Sequence, residues 1–348
     1  MARRRGLPLL LLLAACGAPA TGPSVGPDDP ILAPVERWTW VGFAGSSCGS
    51  GAPTGIGVNL TARSSDVVVY FQGGGACWDA VTCLAQQSAA HLLSGYGAAD
   101  FTAEPDLAAT AFDRTVAANP FKDASFVFVP YCTGDLHAGD ALQVYRFGAT
   151  VQAVAHQGGR NTGLFLRRLA TTFPGARRVF VAGSSAGGYA AQLNFPRFVE
   201  AFPAAEVHAL ADGAQLVQPG GTLYATWQAA WRLSPPAGCA ACATRLPALA
   251  SWLTERYPAS RFALLASTRD GVLPPYLALS SDELDTATRD LLATAYDPSA
   301  NARYFTITSS AHTMLGTLTT TTSAAGVPLS AWLARWYAGD PVWASTGP

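Results

Sequence analysis

The sequence predicts an α/β fold in which a mostly parallel central sheet is flanked by helices. Three observations predict it. Short runs of Val, Phe, Leu and Ala, apolar on both faces, recur along the chain, and stretches with helical periodicity lie between them. In addition, 49% of the 348 residues are hydrophobic and only 13% charged, which suits a sheet buried on both faces. The formal net charge of −1, with no internal cluster of Lys or Arg, excludes the cationic surface that nucleic-acid binding needs.

Taken in order, residues 1–5 carry three consecutive arginines, an apolar run with five consecutive leucines follows, and the run ends in Leu13-Ala14-Ala15-Cys16. A charged end, a short apolar core and a small-residue site form a secretory signal peptide over 1–15, too short for a stable span. Leu-Ala-Ala-Cys resembles the bacterial lipobox, so Cys16 is expected to be lipidated and to anchor the exported chain to the bacterial cell envelope. Residues 16–30, rich in Gly, Pro, Ala and Asp, read as a flexible tether. Residues 31–348 then form one domain with loop insertions, expected to be soluble and monomeric.

Within that domain the run at 67–71 stops at Gly73-Gly74-Gly75, that at 127–129 stops at Pro130, and that at 179–182 stops at Gly183. Further on, 207–211 stops at Asp212, 262–266 precedes Asp270, and 304–307 leads toward His312. Each reads as a buried strand. Between them, 162–172 sets Leu164, Phe165 and Leu169 against Arg167 and Arg168, and 248–257 shows a similar apolar face. Asp282, Glu283, Asp285 and Asp290 read as the solvated face of a helix. In such sheets the loops at the carboxyl ends of the strands form the reactive crevice. These runs deliver glycines, a serine, aspartates and a histidine there.

Export also governs the cysteines. Cys48, Cys77, Cys83, Cys132, Cys239 and Cys242 remain after Cys16, an even number that suggests three disulfides with fifteen connectivities open. Proximity favours Cys77–Cys83 and Cys239–Cys242, which leaves Cys48–Cys132. A redox role for Cys239-Ala-Ala-Cys242 would need a strand before it and a helix after it. Pro235-Pro236-Ala237-Gly238 makes it a loop instead, and no neighbouring His favours zinc. No metal or other cofactor is expected.

Gly183-Ser184-Ser185-Ala186-Gly187-Gly188 contains G-x-S-x-G between a buried strand and the helix-compatible Tyr189-Ala190-Ala191-Gln192-Leu193. That context is the strand, sharp turn and helix of a nucleophile elbow, with Ser185 as nucleophile. A serine hydroxyl needs a histidine to take its proton and a carboxylate to orient that histidine. With chain order serine, acid, histidine and only five histidines in the chain, the base is His312. The acid is Asp270 in preference to Asp212, because Asp270 follows the last strand before the one leading to His312. Gly73-Gly74-Gly75, at the end of the run 67–71, can turn backbone N–H groups inward as oxyanion donors, and the N–H of Ala186 would complete the hole.

Together these residues resemble the pectin acetylesterase (Notum-like) family. The matching segments are Tyr70-Phe71-Gln72-Gly73-Gly74-Gly75-Ala76-Cys77-Trp78 with Cys83, Pro130-Tyr131-Cys132-Thr133-Gly134-Asp135, the elbow, and the late Asp270 and His312. The resemblance implies an α/β-hydrolase-like esterase with Ser185, Asp270 and His312 as triad and Gly74, Gly75 and Ala186 as oxyanion donors, and it makes Cys77–Cys83 a disulfide. Its substrate would be an acylated carbohydrate. A lipid or acyl-protein ester, or a non-catalytic lipoprotein on the same scaffold, are the alternatives. The chain departs from the plant members in carrying Ala76 where they have Trp, with Trp78 after the cysteine. Trp227 and Trp231 are placed either over the pocket or in the core, and Asp135 and His137 either along the crevice or in a structural role.

Overall fold

The structure, a computed structural model, describes residues 26 and 28–347. The signal peptide and Cys16 lie outside the described residues. Among the described residues ten strands occur in the order β1 (Thr39–Gly42), β2 (Gly55–Asn59), β3 (Asp66–Phe71), β4 (Ser125–Val129), β5 (Ala141–Phe147), β6 (Thr150–His156), β7 (Arg178–Ser184), β8 (Glu206–Asp212), β9 (Phe262–Ser267) and β10 (Ala302–Ile307). Eight of them form one sheet, ordered β1-β2-β4-β3-β7-β8-β9-β10, and β5 and β6 form a separate hairpin. Only β2 runs against its neighbours, pairing antiparallel with β1 and β4. Along the rest of this sheet, β4-β3-β7-β8-β9-β10, every pairing is parallel. The α/β-hydrolase-like expectation therefore holds.

Alternate residues of each central strand enter opposite cores, which is why the runs are apolar throughout. Val67, Val69, Phe71, Val127, Val129, Val179 and Val181 face one core, shared with Phe165 and Leu169 of the helix Gly158–Thr172 and with Tyr189 and Ala190 of the helix Ala186–Leu193. Val68, Tyr70, Phe126, Phe128, Phe180 and Ala182 face the other, beneath Trp332, Leu333 and Trp336 of the helix Leu329–Ala338. At the amino end the chain joins the domain by Asp28: Thr171 Oγ1 donates to the Asp28 carbonyl at 2.8 Å and Arg168 Nε to that of Asp29 at 2.9 Å. Among the described residues no helix is long and apolar enough to cross a membrane.

The six expected strands are β3, β4, β7, β8, β9 and β10. The antiparallel edge and the hairpin went unread for physical reasons. β2, Gly-Ile-Gly-Val-Asn, gives few side chains to read as a strand. The hairpin leaves Leu142, Val144, Phe147 and Val151 exposed, so its pattern lacks a clean buried face. Disulfides join Cys48–Cys132, Cys77–Cys83 and Cys239–Cys242. The last spans the single turn Ala240–Ala243, away from any strand-to-helix junction.

Candidate active site

β7 runs straight into the turn at Ser185, whose φ of 56° and ψ of −125° are strained for a residue with a side chain. The strain is held from three directions. Ser185 N–H donates to the Asp212 carbonyl at 2.7 Å, the helix Ala186–Leu193 begins immediately after, and Gly187 packs on β3 so closely that any Cβ would collide with the Phe71 carbonyl. That contact is why glycine stands at the end of the motif. Ser185 consequently projects from the carboxyl edge of the sheet into a cavity of about 370 Å³ lined also by Gly73, Gly74, Gly75, Tyr276 and His312.

His312 lies in the loop after β10. Its Nδ1 is 2.7 Å from Asp270 Oδ2. The other Asp270 oxygen accepts from the N–H groups of Val272 at 2.8 Å and Leu273 at 3.0 Å, so the carboxylate is fixed from its own loop. In the tautomer set by this contact, Nδ1–H donates to Asp270 and Nε2 offers a lone pair. Nε2 is buried and has no hydrogen-bond partner among the described residues. An imidazole that lines the cavity of Ser185 and keeps one ring nitrogen with an unmet lone pair can take a proton.

Asp212, the lesser sequence candidate for the acid, is occupied elsewhere. Its Oδ1 accepts from Met314 N–H at 2.8 Å, and its Oδ2 from Leu315 N–H at 3.0 Å and Ser184 Oγ at 2.8 Å. It ties the elbow to the loop carrying His312. Complete burial raises its carboxyl to about 6, against the opposing pull of these donors.

The Gly73–Gly75 loop closes the site from β3. A Cβ on Gly73 would stand 3.0 Å from Ser185 Cβ, so this backbone passes directly beside Ser185. Gly75 has φ of 76°, a left-handed conformation natural to glycine. No hydrogen bond from the N–H of Gly74, Gly75 or Ala186 to another described residue is made outside regular helix pairing. These donors are available to an oxyanion. Beneath them, His137 Nε2 meets the Gln72 carbonyl at 2.9 Å, and burial lowers the His137 ring to about 4, keeping it neutral so that one nitrogen donates. Asp135 accepts from Thr133 Oγ1 at 2.6 Å and Gly158 N–H at 2.7 Å. His137 thus supports the glycine loop from inside, Asp135 ties its own loop to the start of the helix Gly158–Thr172, and neither lines the crevice.

On the other side of Ser185 lies a second, much smaller cavity of about 20 Å³, walled by Ala76, Leu136, Ala186, Tyr189, Trp227, Leu273, Tyr276 and Leu277. Trp227 therefore shares this cavity with Ser185. Trp231 does not: it is fully buried, donates Nε1–H to the Cys77 carbonyl at 2.8 Å and stacks on Trp227 at 5.2 Å. Ala76, in place of a tryptophan, forms part of this wall. A metal site is not evident in the one cluster of ligand-type atoms among the described residues, Cys77, Cys83 and His156. Its sulfurs are joined as a disulfide, and the imidazole is held by the Thr133 carbonyl at 2.8 Å and the Tyr145 hydroxyl at 3.0 Å.

Sequence reading missed one wall of the larger cavity. Asp106 and Phe112 reach it from the segment between β3 and β4, whose Ala-rich composition has no periodicity to mark it. Tyr276 was equally silent, although Leu273-Pro274-Pro275 signals a helix start just after Asp270.

A strained serine at a strand-to-helix elbow, a histidine paired with a carboxylate, and free backbone donors define a hydrolase of the α/β class. The sequence profile of the Pectinacetylesterase family matches residues 41–220, more than half of the chain. The chain belongs to that family, is a carboxylic ester hydrolase, and acts as an esterase on carbohydrate-type substrates. The match includes the Gly73–Gly75 loop and the elbow and ends before Asp270 and His312. No curated protein matches the chain at a significant level.

Proposed function

We propose that the protein removes acetyl groups from a carbohydrate by an acyl-enzyme mechanism in which Ser185 is the nucleophile, His312 the general base and Asp270 its orienting acid. The observation that carries the proposal is the 2.7 Å contact of His312 Nδ1 with Asp270, which leaves Nε2 unpartnered on a ring that lines the cavity of Ser185. His312 takes the Ser185 proton as Oγ attacks the ester carbonyl. Gly74, Gly75 and Ala186 donate to the oxyanion of the tetrahedral intermediate. His312 then returns the proton to the departing sugar oxygen and activates the water that frees acetate and Ser185.

The small cavity beside Ser185 supports acetate as the acyl group. A volume of about 20 Å³ is close to that of one bound water, so a methyl group fills it and a longer chain meets Trp227, Leu273 and Leu277. The sugar then occupies the larger cavity. We further propose export under the signal peptide 1–15 and anchoring through lipid on Cys16, with 16–30 as tether and 31–348 as the catalytic domain. The support for this is the charged, apolar and Leu-Ala-Ala-Cys pattern.

Ser185→Ala is expected to lower p-nitrophenyl acetate hydrolysis by at least about a thousandfold, and the wild type to prefer acetyl over butyryl and octanoyl esters. Retained turnover in the variant would reject Ser185. A profile peaking at long chains would move the substrate to lipid or acyl-protein esters.

A further inference from the structure

The wall of the larger cavity has a one-sided charge. Asp106 is the one carboxylate that lines it, its carboxyl held somewhat above the usual value by burial and by the neighbouring Glu104, and among the described residues no Lys or Arg lines it. His312 must be neutral to act as base. Asp106 sits in the short turn Pro105–Ala108, capped by Glu104, whose side chain accepts from Asp106 N–H at 3.1 Å. Gln72 Nε2 bridges the two acids, donating to Glu104 Oε2 at 2.8 Å and to Asp106 Oδ2 at 3.3 Å. Tyr96 donates its hydroxyl to the same Glu104 oxygen at 2.8 Å. Glu104 is therefore well supplied with donors, whereas Asp106 has one long hydrogen bond and spare acceptor capacity facing the cavity.

Resting on the acetylesterase reading, we propose that Asp106 sets the charge class of the substrate. The cavity takes an acetylated sugar whose ring bears no charge, with a ring hydroxyl donating to the Asp106 carboxylate, and it disfavours an acetylated uronate. A sugar ester seated at Ser185 keeps all its ring substituents within about one Debye length, ~8 Å, of the cavity wall. The carboxylate of a uronate then shares the cavity with Asp106 and has no cation to balance it. At a separation of about 7 Å and an effective dielectric constant near 30, the repulsion amounts to roughly tenfold in binding. The family's name points to a polyuronate; the wall of this cavity points to a neutral glycan.

The test compares O-acetylated digalacturonate with the same compound whose carboxylates are methyl-esterified, and with O-acetylated xylobiose, by acetate release from the full chain. The expected result is a kcat/KM about tenfold higher for the methyl ester than for the free acid, with xylobiose close to the methyl ester. High salt and Asp106→Asn should each bring the ratio toward one. A structural role for Asp106 alone would change all three substrates together and leave the ratio where it was. A free acid processed as well as its methyl ester, a ratio insensitive to salt, or a ratio unchanged in Asp106→Asn would each overturn the proposal. The wild-type ratio and its salt dependence stand even if the variant does not fold. Hydrolysis of p-nitrophenyl acetate with no acetate released from any sugar would overturn it too, whereas failure on p-nitrophenyl acetate as well would strike the esterase reading itself.

Discussion

Asp212 ends β8 and Asp270 follows the adjacent strand β9; both are completely buried, and each accepts two backbone N–H groups. They differ in how the oxygens are shared out. Asp270 gives one oxygen to its own loop and the other to the His312 imidazole. Asp212 commits both oxygens to the loop 314–315, with Ser184 on the second. A carboxylate at a strand end is thus free to orient a histidine only when one oxygen can satisfy the backbone alone.

Substituting asparagine separates the two roles. In Asp270→Asn the amide oxygen can keep Val272 and Leu273 while the NH2 group donates to His312 Nδ1, which holds the ring in the wrong tautomer. We expect kcat to fall roughly a thousand- to ten-thousandfold, with little change in Tm. Asp212→Asn has no such solution, because either orientation points an NH2 group at a backbone N–H. It should cost about 1–3 kcal/mol of stability and lower kcat far less than Asp270→Asn does. Activity and thermal melts on the two variants, compared side by side, would break the contrast if the losses were reversed.

The pH dependence sharpens it. Because burial raises Asp212 to about 6, above its ordinary value of about 4, the folded state binds this proton more tightly than the unfolded chain. Its contribution to stability is complete below about pH 4 and is lost as pH rises through about 6. The gap in Tm between wild type and Asp212→Asn should therefore be wider at pH 4 than at pH 7. A gap that widens in the opposite direction would show that Asp212 is held ionised. The smallest effect is expected from Ser184→Ala. It removes one donor to Asp212 and should cost about 1 kcal/mol in denaturant unfolding, with kcat nearly unchanged.

How far the sequence foretells this arrangement depends on what each residue stands next to. The six parallel strands were legible because burial on both faces leaves uninterrupted apolar runs, as in Val179-Phe180-Val181-Ala182. The turn at Ser185 was legible because the elbow must have glycine where Gly187 meets Phe71, and His312 was singled out because few histidines compete with it. Asp270 and Asp212 could be ranked by chain order only. Their oxygen partners are backbone groups, which carry no sequence signal. Asp106 was invisible for another reason: its role depends on the cations that the surrounding wall lacks, and that is a property of the assembled cavity. The same holds for the small pocket, where Ala76 and Trp227 come from segments far apart in the chain and matter through the volume they leave.

The claim underlying all of this is that catalysis passes through an acyl group on Ser185. The most direct measurement is the mass of the protein quenched during steady turnover of p-nitrophenyl acetate in Asp270→Asn, which should slow deacylation along with acylation, followed by peptide mapping. An acetyl adduct on Ser185 alone, absent from Ser185→Ala, is the predicted result. An adduct on another residue, or undiminished turnover in Ser185→Ala, would contradict it.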